Sequence, residues 1–153
     1  MNTSLTTSGW TRPPLAKEER GQALAEFAIL APIFILLLLA LVDFGRVFET
    51  WVVATNAARE GARYAAVYSA EDYVSDTQVV SLSQQKAYDY LVSGIGTRSD
   101  AAYSLNDVTV SLPARFPGRP VTVNVAIRVQ IWALLNIFLS NPVTIQGQAT
   151  MRI

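Results

Sequence analysis

Residues 27–42, FAILAPIFILLLLALV, contain no charged side chain, and that single run limits what the chain can fold into. As a helix rising about 1.5 Å per residue it spans about 24 Å, a little short of the ~30 Å core of a bilayer. The flanking turns, Gln22–Glu26 and Asp43–Phe48, supply the missing length, because polar ends can reach the headgroups. The run is longer than a typical secretory h-region of about 7–15 residues. The segment just after it, Val42-Asp43-Phe44-Gly45-Arg46-Val47-Phe48, offers no small-x-small cleavage site. The helix is therefore expected to stay with the protein as a single membrane span. Arg12, Lys17 and Arg20 precede it, and a basic flank of this kind favours a cytoplasmic N-terminus. Arg46, Arg59 and Arg63 on the far side oppose that bias. The expected orientation has the N-terminus in the cytoplasm and the bulk of the chain outside. Residues 1–21, polar and carrying Pro13-Pro14 and the cluster Lys17, Glu18, Glu19, Arg20, read as an unstructured leader.

From residue 22 to about 68 Pro32 is the one strong helix breaker, which predicts a single long helix: residues 22–48 in the membrane, 49–68 continuing outside it. Pro32 lacks the N–H that would bond to residue 28, a loss a membrane helix can absorb. In the outer half, Ala54, Ala57, Ala58, Gly61, Ala62 and Ala65 recur at the spacing of one helical face. A stripe of small side chains lets another backbone come close. That backbone belongs either to the chain's own sheet or to a second helix in another subunit, and spacing leaves both open.

Residues 69–153 predict a small α+β domain outside the membrane. Ser75 or Asp76 can cap a second helix running to about residue 93, with Val80, Ala87, Tyr90 and Leu91 near one face and Gly94 or Gly96 ending it. Three stretches then alternate apolar and polar residues with period two: Val108–Leu112, Val121–Ile131 and Val143–Ile153. That pattern predicts about three antiparallel strands with one buried face and one wet face. Between the last two lies WALLNIFLSNP, residues 132–142, too long and too apolar for a hairpin turn. It reads either as a segment folded back over the sheet or as an exposed apolar patch. The fold class expected is α+β: a long N-terminal membrane-spanning helix, a small helix, and an antiparallel sheet.

Composition removes most catalytic chemistry. The chain has no histidine and no cysteine, which takes away the commonest general base, the commonest metal ligand, thiolate chemistry and disulfides together. The acids are scattered, and Lys17 and Lys86 are the only lysines. No enzyme activity, cofactor or metal is expected. Twelve basic and twelve acidic residues cancel, so the basic footprint that nucleic acid requires is missing.

Glu26 stands at the threshold of the apolar run. Deep in a bilayer a carboxylate costs about 2.5–3.5 kcal/mol on insertion scales. Near the start of a helix the dipole returns about 0.3–1 kcal/mol, so headgroup-level placement would be tolerated. The alternative gives Glu26 a cation: a cut after Gly21 would leave Gln22 with an α-ammonium of pKa near 8, which could neutralise the Glu26 of a neighbouring subunit. Here the residues resemble a known group. Gly21-Gln22-Ala23-Leu24-Ala25-Glu26-Phe27 is similar to the processing site of type IV prepilins of the Flp, or tight-adherence, branch. More specifically, the Glu26-Phe27 pair, Pro32, Asp43-Phe44-Gly45-Arg46 and the segment Ala58–Arg63 resemble the TadE-like family. The resemblance implies a minor pilin or pseudopilin. Its leader is removed by a membrane-embedded prepilin peptidase, and its partners are other pilin-like subunits, the pilus assembly machinery and membrane lipid. It also implies an inner-membrane location, with incorporation into a surface pilus. A permanently anchored extracytoplasmic binding module that keeps its leader is the competing expectation.

Overall fold

The computed structural model describes residues 15–68, 75–113, 118–132 and 141–153, with side chains from residue 21 onward. The elements run α1 (Leu15–Tyr68), α2 (Asp76–Ile95), β1 (Ala101–Ala102), a 3-10 turn (Leu105–Asp107), β2 (Val108–Ser111), β3 (Pro120–Val129) and β4 (Val143–Arg152). Two compact units divide the chain, Met1–Leu38 and Leu39–Ile153; the second is the head.

Helix α1 begins at Leu15, earlier than the sequence pattern places it, so the last part of the expected unstructured leader is helical. Leu-Ala-Lys-Glu-Glu-Arg is a run of strong helix formers, and the two prolines that argue against a helix stand just before it. In the first unit, every residue from 21 to 38 except the half-buried Ala31 is exposed. Phe27, Leu30, Ala31, Phe34 and Ile35 line a wholly apolar groove of about 390 Å³. Among the described residues α1 is the one helix long and apolar enough to cross a membrane. Its most hydrophobic window has a mean hydropathy of 2.7 and is 6% buried. The core helix of a soluble protein would have that surface covered; this one leaves it to the surroundings.

In the head, β3 is the central strand. It pairs antiparallel with β4 along its whole length, from Pro120↔Arg152 to Val129↔Val143. Its other edge is shared end to end by β2, at Val108↔Val125 to Ser111↔Thr122, and by β1, at Ala101↔Val129 and Ala102↔Arg128. Among the described residues the sheet thus has four strands, one more than the sequence pattern shows. Two alanines carry no alternation, and β1 exists because β3 offers an open edge there.

Period-two burial holds throughout. Val121, Val123, Val125, Ile127 and Val129 face inward, whereas Asn124 and Arg128 face out. Helices α1 and α2 cover the inner face. Ser75 caps α2 through a full capping box, its hydroxyl accepting from the Gln78 N–H while the Gln78 side chain accepts from the Ser75 N–H at 3.1 Å. The helix ends at Gly96, whose φ of 65° suits glycine. Its buried face is Val79, Ser83, Ala87, Leu91 and Ile95, not the Val80–Tyr90 side. Tyr90 is exposed and Val80 half-buried. Valines at 79 and 80, and Tyr90 beside Leu91, make the stripe ambiguous in sequence; an unbroken i, i+4 series against the sheet decides it.

Candidate functional site

Three groups of residues carry candidate function: the foot of α1, its small-residue stripe, and the charged residues around Arg46.

At the foot, Gly21, Gln22, Glu26 and Phe27 are all exposed. A Cβ built on Gly21 would meet nothing within 4 Å, so the protein's own packing does not require glycine there. The Gln22 amide Nε2 donates to Glu26 Oε1 at 3.1 Å, one turn along the helix. That neutral amide is the hydrogen-bond partner Glu26 has among the described residues. Pro32 lies within the helix and is exposed.

The stripe is buried inside the head. Ala54, Ala57, Ala58, Ala62 and Ala65 are fully inaccessible, and Gly61 is buried with them. Three glycines measure how close the backbones come. A Cβ on Gly61 would lie 3.1 Å from the Ala87 Cβ and the Ser83 carbonyl, and one on Gly94 2.7 Å from Val53. A Cβ on Gly147 of β4 would fall on the backbone of Ala54 and Thr55. The segment Ala58–Arg63 is thus divided by face. Its small residues pack inward, while Arg63 turns outward to donate two hydrogen bonds to Glu60, at 3.0 and 2.7 Å.

Asp43 and Arg46, three residues apart on α1, pair at 3.4 Å. Arg46 also bridges to Asp100, in the turn between α2 and β1. Asp100 in turn accepts from Arg98 at 2.8 Å, and Arg98 reaches back to Glu49 of α1 at 2.9 Å. The Arg46 guanidinium lies 4.8 Å from the centroid of Trp132, at the end of the β3 segment. Asp43 and Asp100 are both buried, which is tolerable because these ions are paired. Together the five charges clamp the α2–β1 turn to α1. The sequence points to the short Asp43–Arg46 pair. Nothing in it ties Arg98, Asp100 or Trp132 to α1, which they reach only through the tertiary fold.

The Arg98 guanidinium, hydrogen-bonded to Asp100, holds that carboxyl well below its ordinary value of 3.8, against the opposing effect of burial and with help from Arg46. A depressed carboxyl contributes stability that is complete above its unfolded value and is lost as pH falls toward the folded one. The head is therefore expected to weaken as pH drops below about 3.8, by up to about 1.4 kcal/mol per pH unit. Asp100→Asn should be less stable at neutral pH and flatter across that acidic window. Urea unfolding of the detergent-solubilised protein at several pH values checks this; parallel curves for the two proteins would remove Asp100 from the clamp.

On the outer face, Asn106, Asp107, Thr109, Asn124 and Gln146, with Val125 and Ala126, line a depression of mixed polarity of about 440 Å³. Its carboxylate, Asp107, is already engaged, accepting from Arg128 at 3.0 Å and from the Ser104 N–H and hydroxyl at 2.8 Å each. Among the described residues no group of three or more acidic side chains is placed to hold a metal ion. Trp132 is 72% exposed. The rest of the apolar connection, residues 133–140, lies outside the described residues. At its base the Asn141 side chain bonds both the N–H and the carbonyl of Ile131, at 3.2 and 3.3 Å.

The chain is thus an α+β protein with one exposed apolar helix long enough to cross a membrane. The more particular finding is that residues 21–63 match the family model of TadE-like protein. No curated protein and no solved structure matches the chain. The family match spans the foot of the helix, the apolar run, the Asp43–Arg46 pair and most of the small-residue stripe, and supports a minor-pilin-like protein related to the Tad pilus, one that associates with other pilus components.

Proposed function

We propose that the chain is a minor pilin or pseudopilin of a tight-adherence pilus, made as a precursor and cut by a prepilin peptidase between Gly21 and Gln22. The observation that carries this reading is the family match, which starts at that glycine. The leader stays on the cytoplasmic side of the inner membrane and the head lies outside it, where sibling pilins and the assembly machinery engage it.

Cleavage changes the electrostatics of the foot. Before it, Glu26 has a neutral amide for company. Afterwards Gln22 carries an α-ammonium that is largely protonated at neutral pH, and a sibling's ammonium meets Glu26 in apolar surroundings. Removing one member of a desolvated pair strands the other at several kcal/mol, so the pair sets the register of subunits in a filament. The missing hydrogen bond at Pro32 loosens the helix where it must leave lipid for the filament. Gly21 weakens the helix by about 1 kcal/mol relative to alanine, easing the local unwinding that exposes the scissile bond.

Glu26→Gln separates insertion from assembly. The side chain is exposed and its partner is Gln22, so the variant should insert and be cut as the parent is. Its recovery in sheared pili should fall by about tenfold or more, since 1.4 kcal/mol is already a factor of ten. Undiminished recovery would discard the pairing. The competing reading, a permanently anchored binding module, predicts no effect of the substitution and a retained leader.

A further inference from the structure

The aromatic side chains around the clamp are left exposed in a pattern that a bilayer surface explains. Phe44, Phe48 and Trp51 form a row along α1, with ring centroids 6.4 and 5.8 Å apart, and are 63, 53 and 47% exposed. The row continues directly from the exposed Leu41 and Val42 at the end of the apolar run. It covers about 10 Å along the helix, comparable to the headgroup layer that flanks a bilayer core. Aromatic rings, tryptophan above all, concentrate in that layer, where one edge is apolar and the other wet. Trp132 arrives at the same level from the far end of the chain, lying against Arg46, one turn beyond Val42, and presenting 72% of its surface outward. Among the described residues this indole is left largely uncovered, fixed beside a guanidinium at the point where the uncharged run ends.

We propose that Trp132 is a second bilayer contact, seated in the headgroup layer at the height of the Phe44–Phe48–Trp51 row but across α1 from it, so that the head touches the membrane surface through both α1 and the segment that follows β3. The inference depends on α1 being a membrane span and adds to it a lipid contact made by the head. Around the indole, Asp43, Glu49 and Asp100 offset Arg46 and Arg98, so the contact has no requirement for anionic lipid. Zwitterionic phosphatidylcholine suffices.

The test uses the full chain in phosphatidylcholine vesicles whose acyl chains carry bromine either near the headgroups or near the bilayer centre. Trp10→Phe and Trp51→Phe leave Trp132 as the sole indole. A second protein, with Trp10, Trp51 and Trp132 all changed to phenylalanine and with Phe34→Trp, reports on the span. The expected result is blue-shifted Trp132 emission, most of it lost to shallow bromine and little to deep bromine, with the Phe34→Trp reporter showing the reverse. Quenching of Phe34→Trp alone overturns the inference and leaves the span standing. Failure of both reporters to respond overturns both. Trp132 shielded from an aqueous quencher yet blind to bromine overturns it in favour of a protein neighbour.

Discussion

Gly147→Val is expected to destabilise the head severely. Gly147 sits opposite Val125 in the β3–β4 pair, on the inner face of the sheet, and any Cβ there would fall on the Ala54 carbonyl and the Thr55 nitrogen of α1. These are backbone atoms with no rotamer to change, so the helix itself must move off the sheet. Fitting extra atoms into a packed core costs about 1–3 kcal/mol when side chains can yield. Here they cannot, and at least about 3 kcal/mol is expected for valine, against a typical domain stability of about 5–15 kcal/mol. The same displacement would open Ala57, Ala58 and Ala62, fully buried along the same face. Urea titration followed by near-ultraviolet circular dichroism measures the loss. Gly45→Ala is the control, because a Cβ at Gly45 meets nothing within 4 Å and alanine favours the helix by about 1 kcal/mol. Equal midpoints for the Gly147→Val and Gly45→Ala proteins would mean that α1 does not lie on β4.

Gly21→Leu is expected to abolish maturation without disturbing the fold. Gly21 is exposed and its absent side chain would touch nothing. The precursor should therefore insert, keep its head folded and accumulate at full length in cells with an active prepilin peptidase. If the proposed cleavage occurs, leucine would oppose it in two ways: by crowding a site that takes a small residue, and by stiffening the helix around the bond. An immunoblot resolving precursor from mature protein reads the outcome. Complete processing of the leucine variant would take Gly21 out of the proposed cleavage site.

Much of the fold can be read from local pattern because the forces concerned are local. The alternation from Val121 to Val129 is a statement about two faces of a strand, and Ser75 with Gln78 spells out a helix start. The long apolar run needs no partner to be recognised. The features that the pattern lacks are set by tertiary packing or by competing local signals. Pro13-Pro14 and the charges beside them obscure the helix-forming run from Leu15 to Arg20. The two-residue β1 forms only because the edge of β3 is free at Val129 and Arg128. On α2, adjacent apolar pairs leave the buried face ambiguous until the sheet selects Val79 and Leu91 over Val80 and Tyr90.

The candidate sites divide in the same way. The foot of the helix is contiguous in sequence and therefore visible there, from Gly21 to Phe27. Asp43 and Arg46 are visible as a helical pair, but the carboxylate that Arg46 bridges to in the head, Asp100, is remote in the chain. Gly147 does carry a signal, since glycine inside a strand marks close backbone approach. The small-residue stripe on α1 carries the complementary one. Pairing the two requires knowing which strand crosses which turn of the helix, and that is a property of topology.

The processing of the N-terminus decides the most. Intact-mass measurement of the full-length protein, extracted from membranes of cells with an active prepilin peptidase, is expected to give a chain that begins at Gln22. A mass that includes residues 1–21 in those cells would contradict it.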